Sequence, residues 1–331
     1  MAGPFHNAIK GTTAGAPGTG AFTPNAASTG YIAWSTVPSG WWGLVRFTEG
    51  TAWELSYCYW NGTTLSRSAN QRVSSSSGSA LSLTAAAEAA MGTDGARVSP
   101  HPILPTRRAV PLINSASAPT VIGIAAGVIT GTASAAAIAA TNYLTEQPRV
   151  QIASLTTANA QAGYTHTTAM ALVSTAAGRG GWEFACRFGA STLPTGPRLF
   201  CGMTATTFVA NTAEPSALVA NYAVFGQDST DTNMQLITNS NAGTGTKIDT
   251  GIPLVANGWY EATIWCDPGS TTIKALLVRL DTGAIFYTTT STDVPANGAL
   301  VFPHCIGGLS ATTGTAFTLQ FGGYNPRIGG S

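Results

Sequence analysis

The sequence predicts an all-β protein: a small antiparallel N-terminal β module over residues 1–97, a Pro- and Ala-rich linker or interface segment over 98–147, and a C-terminal β-sandwich over 148–331. Three observations predict it. Charged residues are only 9% of the 331, against roughly 25% in an ordinary soluble domain, and 38 Gly and 18 Pro accompany abundant Thr, Ser and Ala. Short runs rich in aromatic and β-branched residues alternate with period two, the spacing that puts successive side chains on opposite faces of a strand. Turn residues break these runs about every ten positions, which is the rhythm of a sandwich.

The elements follow in order. Residues 1–30 are Gly-, Thr- and Ala-rich and fit a loose arm or a strand with loops equally well. Tyr31–Trp34 reads as a short strand, Pro38-Ser39-Gly40 as a turn and Trp42–Phe47 as a second strand. Glu49-Gly50 is the next turn. Trp53–Trp60 is a third strand, with Trp53, Leu55, Tyr57 and Tyr59 on one face by parity. Asn61-Gly62 then signals a hairpin, Thr63–Arg67 returns, and Ala80–Thr84 alternates as one more strand after a Ser-rich loop.

The composition changes at Ser99. SPHPILPTRRAVP reads as an extended linker, and the Ala-rich run after it fits a short helix at Ala133–Thr141 or further strand. Beyond Pro148 strand signals persist: Val150–Leu155, Gly181–Gly189, Arg198–Met203, Ala220–Phe225, Met234–Thr238, Trp259–Cys266, Thr272–Leu280, Ile285–Thr290, His304–Gly307 and Thr315–Phe321. In the second of these, Trp182, Phe184, Cys186 and Phe188 share one face, and Glu183 and Arg187 the other.

Charge and cysteine usage exclude several function classes. Fifteen Lys+Arg against 14 Asp+Glu leave a net charge of +1, without the basic surplus that phosphate neutralisation requires, so no nucleic-acid partner is expected. Five cysteines, Cys58, Cys186, Cys201, Cys266 and Cys305, contain no CxxC. An odd, scattered set fits small buried thiols, and neither a disulfide nor a zinc site is expected. The first residues, MAGPFHNAIKGTT, lack the apolar stretch of a signal peptide. The uncharged run from Pro119 to Tyr143 is long enough to span a bilayer, but it is mostly Ala, Gly, Ser and Thr, and a buried strand or subunit contact is the expected reading.

Several segments resemble a small module of tailed-bacteriophage virion proteins. They are GTGAF, Phe47-Thr48-Glu49-Gly50 with Trp53-Glu54, Asn61–Arg67 with its Thr-Leu-x-Arg, Ser74–Gly78 and Leu81–Thr84. Their order covers about residues 5–92, with Ser56 and Cys58 where the pattern carries glycines. The C-terminal part resembles a phage fibre-type head domain through Trp182–Gly189, Arg198–Met203, Glu214–Ala217, Phe225–Asp228 with Asp231–Asn233, Gly243–Gly251 and Pro268-Gly269. The resemblance implies a jelly-roll or lectin-like sandwich. It also implies a homotrimeric appendage on the virion: a tail fibre or receptor-binding protein for a host surface glycan, contacting other tail or capsid proteins. The alternatives are a capsid decoration or head-fibre protein and a secreted carbohydrate-binding protein.

Candidate chemistry is sparse. Asp228 and Asp231 with Asn233 fit either a metal or catalytic site or a turn whose carboxylates cap backbone amides. No GxSxG occurs, and Gly178-Arg179-Gly180-Gly181 precedes a strand rather than a helix, so neither acyl transfer nor a phosphate cradle is expected. The chain reads as a non-enzyme without a cofactor. Sugar binding would draw on exposed aromatics, and Trp41, Trp42, Trp60 and Trp259 are the candidates, with core packing as the other reading of each. The uncharged segment Pro119–Thr141 is expected at a subunit contact. Light scattering on the purified chain should give the mass of a trimer; a concentration-independent monomer would contradict it.

Overall fold

A computed structural model describes residues 9–29, 31–91, 128–166, 168–177, 179–207, 214–308 and 314–328. Residues 98–127 of the expected 98–147 segment, and with them the first part of the uncharged run, lie outside them. The chain divides into two units, residues 1–104 with 282–288, and residues 105–281 with 289–331. Among the described residues no helix is long and apolar enough to cross a membrane.

The first unit carries β1 (Lys10–Thr13), β2 (Pro24–Ala27), β3 (Trp42–Glu49), β4 (Ala52–Tyr59), β5 (Arg72–Ser75) and β6 (Glu88–Met91). They form one antiparallel sheet in the order β2-β1-β6-β3-β4-β5. Gly50, at φ 59°, closes the β3–β4 hairpin beyond the Glu49–Ala52 pair, a turn that glycine makes without a Cβ clash.

Three local expectations change. Tyr31–Trp34 is not a strand: Trp34–Thr36 is a 3-10 turn, and the Trp34 Nε1 donates to the Ala89 carbonyl at 3.0 Å. That bond draws the indole into the core, where it is buried. Asn61-Gly62 does reverse the chain, through a wider loop than the two residues themselves. The Asn61 carboxamide oxygen accepts the amides of Thr63 at 2.8 Å and Thr64 at 2.7 Å, which widens the loop to four residues between Trp60 and Leu65. Thr63–Arg67 and Ala80–Thr84 contribute isolated bridges, from Leu65 to Phe22 and Trp60 and from Leu83 to Gly18, rather than strands.

On β4 the inward face is Glu54, Ser56 and Cys58, all buried, while Trp53, Leu55 and Tyr59 on the other face are half-buried. A carboxylate inside an apolar core needs a partner, and Arg67 supplies it. Its Nε and Nη2 donate to the two Glu54 oxygens at 2.8 Å each, and both side chains are 1% exposed. Arg67 also donates to the carbonyls of Gly18 at 2.8 Å and Leu81 at 2.5 Å, and its guanidinium lies 5.2 Å from the Phe47 ring. Glu54 accepts further bonds from the Leu81 amide and the Ser56 hydroxyl, each at 2.8 Å. The surrounding core comprises Phe22, Val45, Phe47, Leu65, Leu83 and Ala89.

The second unit is a two-sheet sandwich. Its strands are β7 (Val128–Thr130), β8 (Thr132–Ala135), β9 (Val150–Ala153), β10 (Gln161–Thr165), β11 (Ala171–Leu172), β12 (Trp182–Thr192) and β13 (Arg198–Thr204). They continue with β14 (Asn221–Gln227), β15 (Gln235–Ser240), β16 (Thr246–Asp249), β17 (Trp259–Cys266), β18 (Ile273–Arg279), β20 (Leu300–Gly308) and β21 (Thr318–Ile328), and one sheet also includes β19 (Ala284–Thr290), most of which falls in the 282–288 segment of the first unit. One sheet runs β16-β15-β14-β13-β20-β10-β7, with β11 on β20; the other runs β19-β18-β17-β12-β21-β9-β8. This is an antiparallel two-sheet β-sandwich, as the sequence predicts.

The sequence boundary at 147/148 falls inside the sandwich, because β7 and β8 supply an edge to each sheet. The Ala run forms β8 and then turns, with no helix. Gly131 at φ 92° makes the sharp corner between the two strands, and a Cβ there would lie 2.6 Å from the Ala153 carbonyl oxygen. The core between the sheets receives Trp182, Phe184, Cys186 and Phe188 from one face of β12, all buried. Phe188 stacks on Tyr260 with ring centroids 5.5 Å apart.

Two predictions follow from these cores. Burying Phe184 is worth roughly 1.5–3 kcal/mol, and an aspartate there would carry an unpaired charge between the sheets, so Phe184→Asp should abolish folding; a soluble variant with a cooperative melt would contradict this. Burial raises the Glu54 pKa, but bonds from Arg67, Leu81 and Ser56 outweigh it and hold the carboxyl below its ordinary value. Its contribution is therefore complete above the unfolded carboxyl pKa of about 4.3 and is lost as pH falls through the lower folded value. Arg67→Met should cost roughly 3–5 kcal/mol by stranding the carboxylate, and the Glu54→Leu/Arg67→Met pair should recover most of it. Chemical denaturation of the three proteins reads the difference, and equal losses in single and double variants would refute the account.

Candidate functional site

The residues singled out from sequence fall into different environments. Trp34 gathers two of the tryptophans: Trp41 meets it edge-on at 5.9 Å, and Trp60 lies at 5.8 Å with its Nε1 donating to the Val37 carbonyl at 3.0 Å. Both belong to the packing of the first unit. Trp42 is half-buried on the sheet's other face, 6.5 Å from the Tyr57 ring. Trp259, in the second unit, is 1% exposed.

Asp228 and Asp231 do meet. Asp228 accepts the Ser216 amide at 3.0 Å and hydroxyl at 2.6 Å, and its own amide donates to Asp231 at 3.0 Å. The Lys247 ammonium bridges the two carboxylates at 3.1 and 2.5 Å. Burial lowers the lysine pKa, but its bonds to Asp231 and Asp228 outweigh that and raise it, so the cation this pair faces is the chain's own. Asn233 turns away and donates to Asp249 at 3.3 Å. Beside them, Glu214 accepts Arg198 Nη2 at 2.8 Å and the Ser229 amide and hydroxyl at 2.7 Å each. The arrangement closes the turn after β14 onto the 214–217 segment.

The polar groups best placed for a ligand lie elsewhere, on the outer face of the seven-stranded sheet. Parity sends Trp182, Phe184, Cys186 and Phe188 inward and therefore Glu183, Arg187 and Ser191 outward. Register places Glu183 opposite Trp265, and Arg187 opposite Glu261; Trp265 in turn faces Lys274. Arg187 Nε donates to Glu261 Oε2 at 2.7 Å, and the exposures are asymmetric: the arginine side chain is 38% exposed, the glutamate 1%. A buried carboxylate thus orients a guanidinium that solvent reaches. Trp265 is half-buried on the same face, two rows along and beyond the Ala185–Thr263 pair.

At one end of this face an amide network holds a loop down. Gln320 donates to Gln151 at 2.9 Å and to Ser191 at 2.8 Å, and accepts Arg149 Nε at 2.9 Å. Arg149 also donates to the carbonyls of Ala137, Thr145 and Gln147 at 3.1–3.3 Å, and burial lowers its pKa. Trp265, Arg187 and Glu261 carried no sequence motif. Their only signal was the opposite parity of Glu183 and Arg187 on a strand whose other face is aromatic.

The fold also joins residues that the sequence scatters. Cys186 comes from β12, Cys201 from β13 and Cys305 from β20, and their three sulfurs lie within 4.8 Å of one another in the core. All five cysteines are buried free thiols.

No family model and no curated protein matches the chain. Solved structures overlap with it at low identity. The seed lectin of Lotus tetragonolobus is 12% identical over 62% of this chain and 94% of its own, with a TM-score of 0.42. A protein of unknown function from Shewanella oneidensis MR-1 is 17% identical over 62% and 83%, with a TM-score of 0.38. The family 7 alginate lyase A1-II′ is 9% identical over 54% and 80%, with a TM-score of 0.37. These values describe a partial overlap of β-sandwiches and decide nothing about ligands.

Proposed function

We propose that the chain is a carbohydrate-binding protein without catalytic activity, and that a glycan lies on the outer face of the seven-stranded sheet. The observation that supports this reading is the Arg187–Glu261 pair at 2.7 Å with its unequal exposure. A guanidinium fixed by a buried carboxylate offers its remaining N–H groups to sugar hydroxyls in a set direction. Trp265 supplies an aromatic surface for the apolar face of a sugar ring, and Lys274, its cross-strand neighbour, adds a polar group beside it. The reading is of binding rather than turnover, because Glu261 is held by Arg187 as an ion pair instead of standing as one of two carboxyls across a cleft.

The tailed-phage resemblance of residues 5–92 favours a more specific version. In it the chain is a homotrimeric virion appendage, with other tail or capsid proteins as partners and a host surface glycan as ligand. Three weak sites on one particle bind a cell surface far more tightly than one. Mass spectrometry of purified particles tests that version, and absence of the chain from them would leave only the carbohydrate-binding protein.

A glycan array probed with the purified chain should show binding. Arg187→Lys, which keeps the charge but loses the fork, and Trp265→Ala should each weaken it by about tenfold or more, the size of one charge-assisted hydrogen bond. Trp42→Ala in the other unit should leave affinity unchanged. Full affinity in both sheet variants would refute this face as the site, and turnover of the bound glycan would replace binding with catalysis.

A further inference from the structure

We infer that Cys186, Cys201 and Cys305 form a structural site for a thiophilic divalent metal ion of the zinc class, a clasp between the two sheets of the sandwich. The topology places the three residues with some care. Cys201 and Cys305 are direct cross-strand partners on β13 and β20, and Cys186 reaches them from β12 in the facing sheet. The residues are 0%, 0% and 2% exposed. Cys201 is 15 residues from Cys186 in sequence and Cys305 more than a hundred from both, so no spacing motif announces the set.

The geometry suits a metal. Three sulfurs around an ion at a zinc–sulfur distance of about 2.3 Å sit about 4 Å apart. Here all three lie within 4.8 Å of one another, so closure needs shifts below one ångström. Among the described residues no fourth His, Cys, Asp or Glu joins the group. An all-sulfur donor set selects a soft or borderline ion over calcium or magnesium.

Charge then decides between valences. Each of the three thiols must release its proton as the metal binds, giving a metal tristhiolate and three protons. Around a divalent ion the product carries one negative charge; around a monovalent ion it carries two. A core that penalises every unpaired charge favours the first. Because the site is closed, the ion enters while the sheets come together, and its binding energy adds to folding. The proposal is independent of the glycan-binding face, which lies on the opposite side of β12.

The test uses the full chain produced in zinc-supplemented medium, with metal counted by plasma mass spectrometry after dialysis against a chelator. About one zinc per chain is expected, bound by three sulfurs at about 2.3 Å in X-ray absorption. Cys186→Ala, Cys201→Ala and Cys305→Ala should each lose the ion, while Cys58→Ala and Cys266→Ala keep it. The absorption measurement needs no variant and stands even where a core substitution prevents folding. A zinc-free chain, zinc retained by a folded Cys201→Ala variant, or nitrogen and oxygen neighbours in place of sulfur would each overturn the proposal.

Discussion

The buried pair of Glu54 and Arg67 is the interaction on which the N-terminal unit depends. A carboxylate and a guanidinium at 1% exposure are tolerable because the Glu54 oxygens accept from Arg67, Leu81 and Ser56, and Arg67 donates four hydrogen bonds. In meeting that demand they tie four separated stretches together: β4, the 65–67 return, the Gly18 loop and the Leu81 segment. In this chain Trp53-Glu54 supplies the buried acid and Thr64-Leu65-Ser66-Arg67 its base. The motif is thus a folding constraint, and says little about what the unit binds.

The same economy governs the sandwich. With charged residues at 9% of the chain, many of those present serve as internal ties. Glu214 anchors Arg198 and Ser229, Lys247 joins Asp228 to Asp231, and Asp293 accepts the amides of Ser240 and Thr246. Arg187 stands apart, because its partner is buried and it is not. A surface poor in charge makes one oriented guanidinium stand out, and the proposed glycan site is built on that contrast.

Much of the sandwich was legible because its strands alternate strictly. The parity of Trp182, Phe184, Cys186 and Phe188 fixed which face of β12 is inward, and the same parity exposes Arg187. The module was less legible where polar residues turn inward. The pattern on β4 showed an aromatic face, and only the position of Arg67 reveals that Glu54, Ser56 and Cys58 are the core face. Asn61-Gly62 marked the reversal, but not its width, because the Asn61 side chain accepts the Thr63 and Thr64 amides and opens the loop to four residues. Trp34 left the strand pattern to satisfy its indole N–H. Cys186, Cys201 and Cys305, and Trp265 beside Glu183, were invisible because sheet register, not sequence spacing, brings them together. The tryptophans chosen from sequence were sorted by burial, which composition does not record.

The central claim is that the outer face of the seven-stranded sheet is the recognition surface of the molecule. Hydrogen exchange with and without a bound oligosaccharide tests it directly, because it maps the footprint without altering a residue. Slowed exchange at 182–192 and 259–266, with the first unit unchanged, is the predicted result. Protection confined to β3 and β4 around Trp42, with β12 and β17 unaffected, would contradict it.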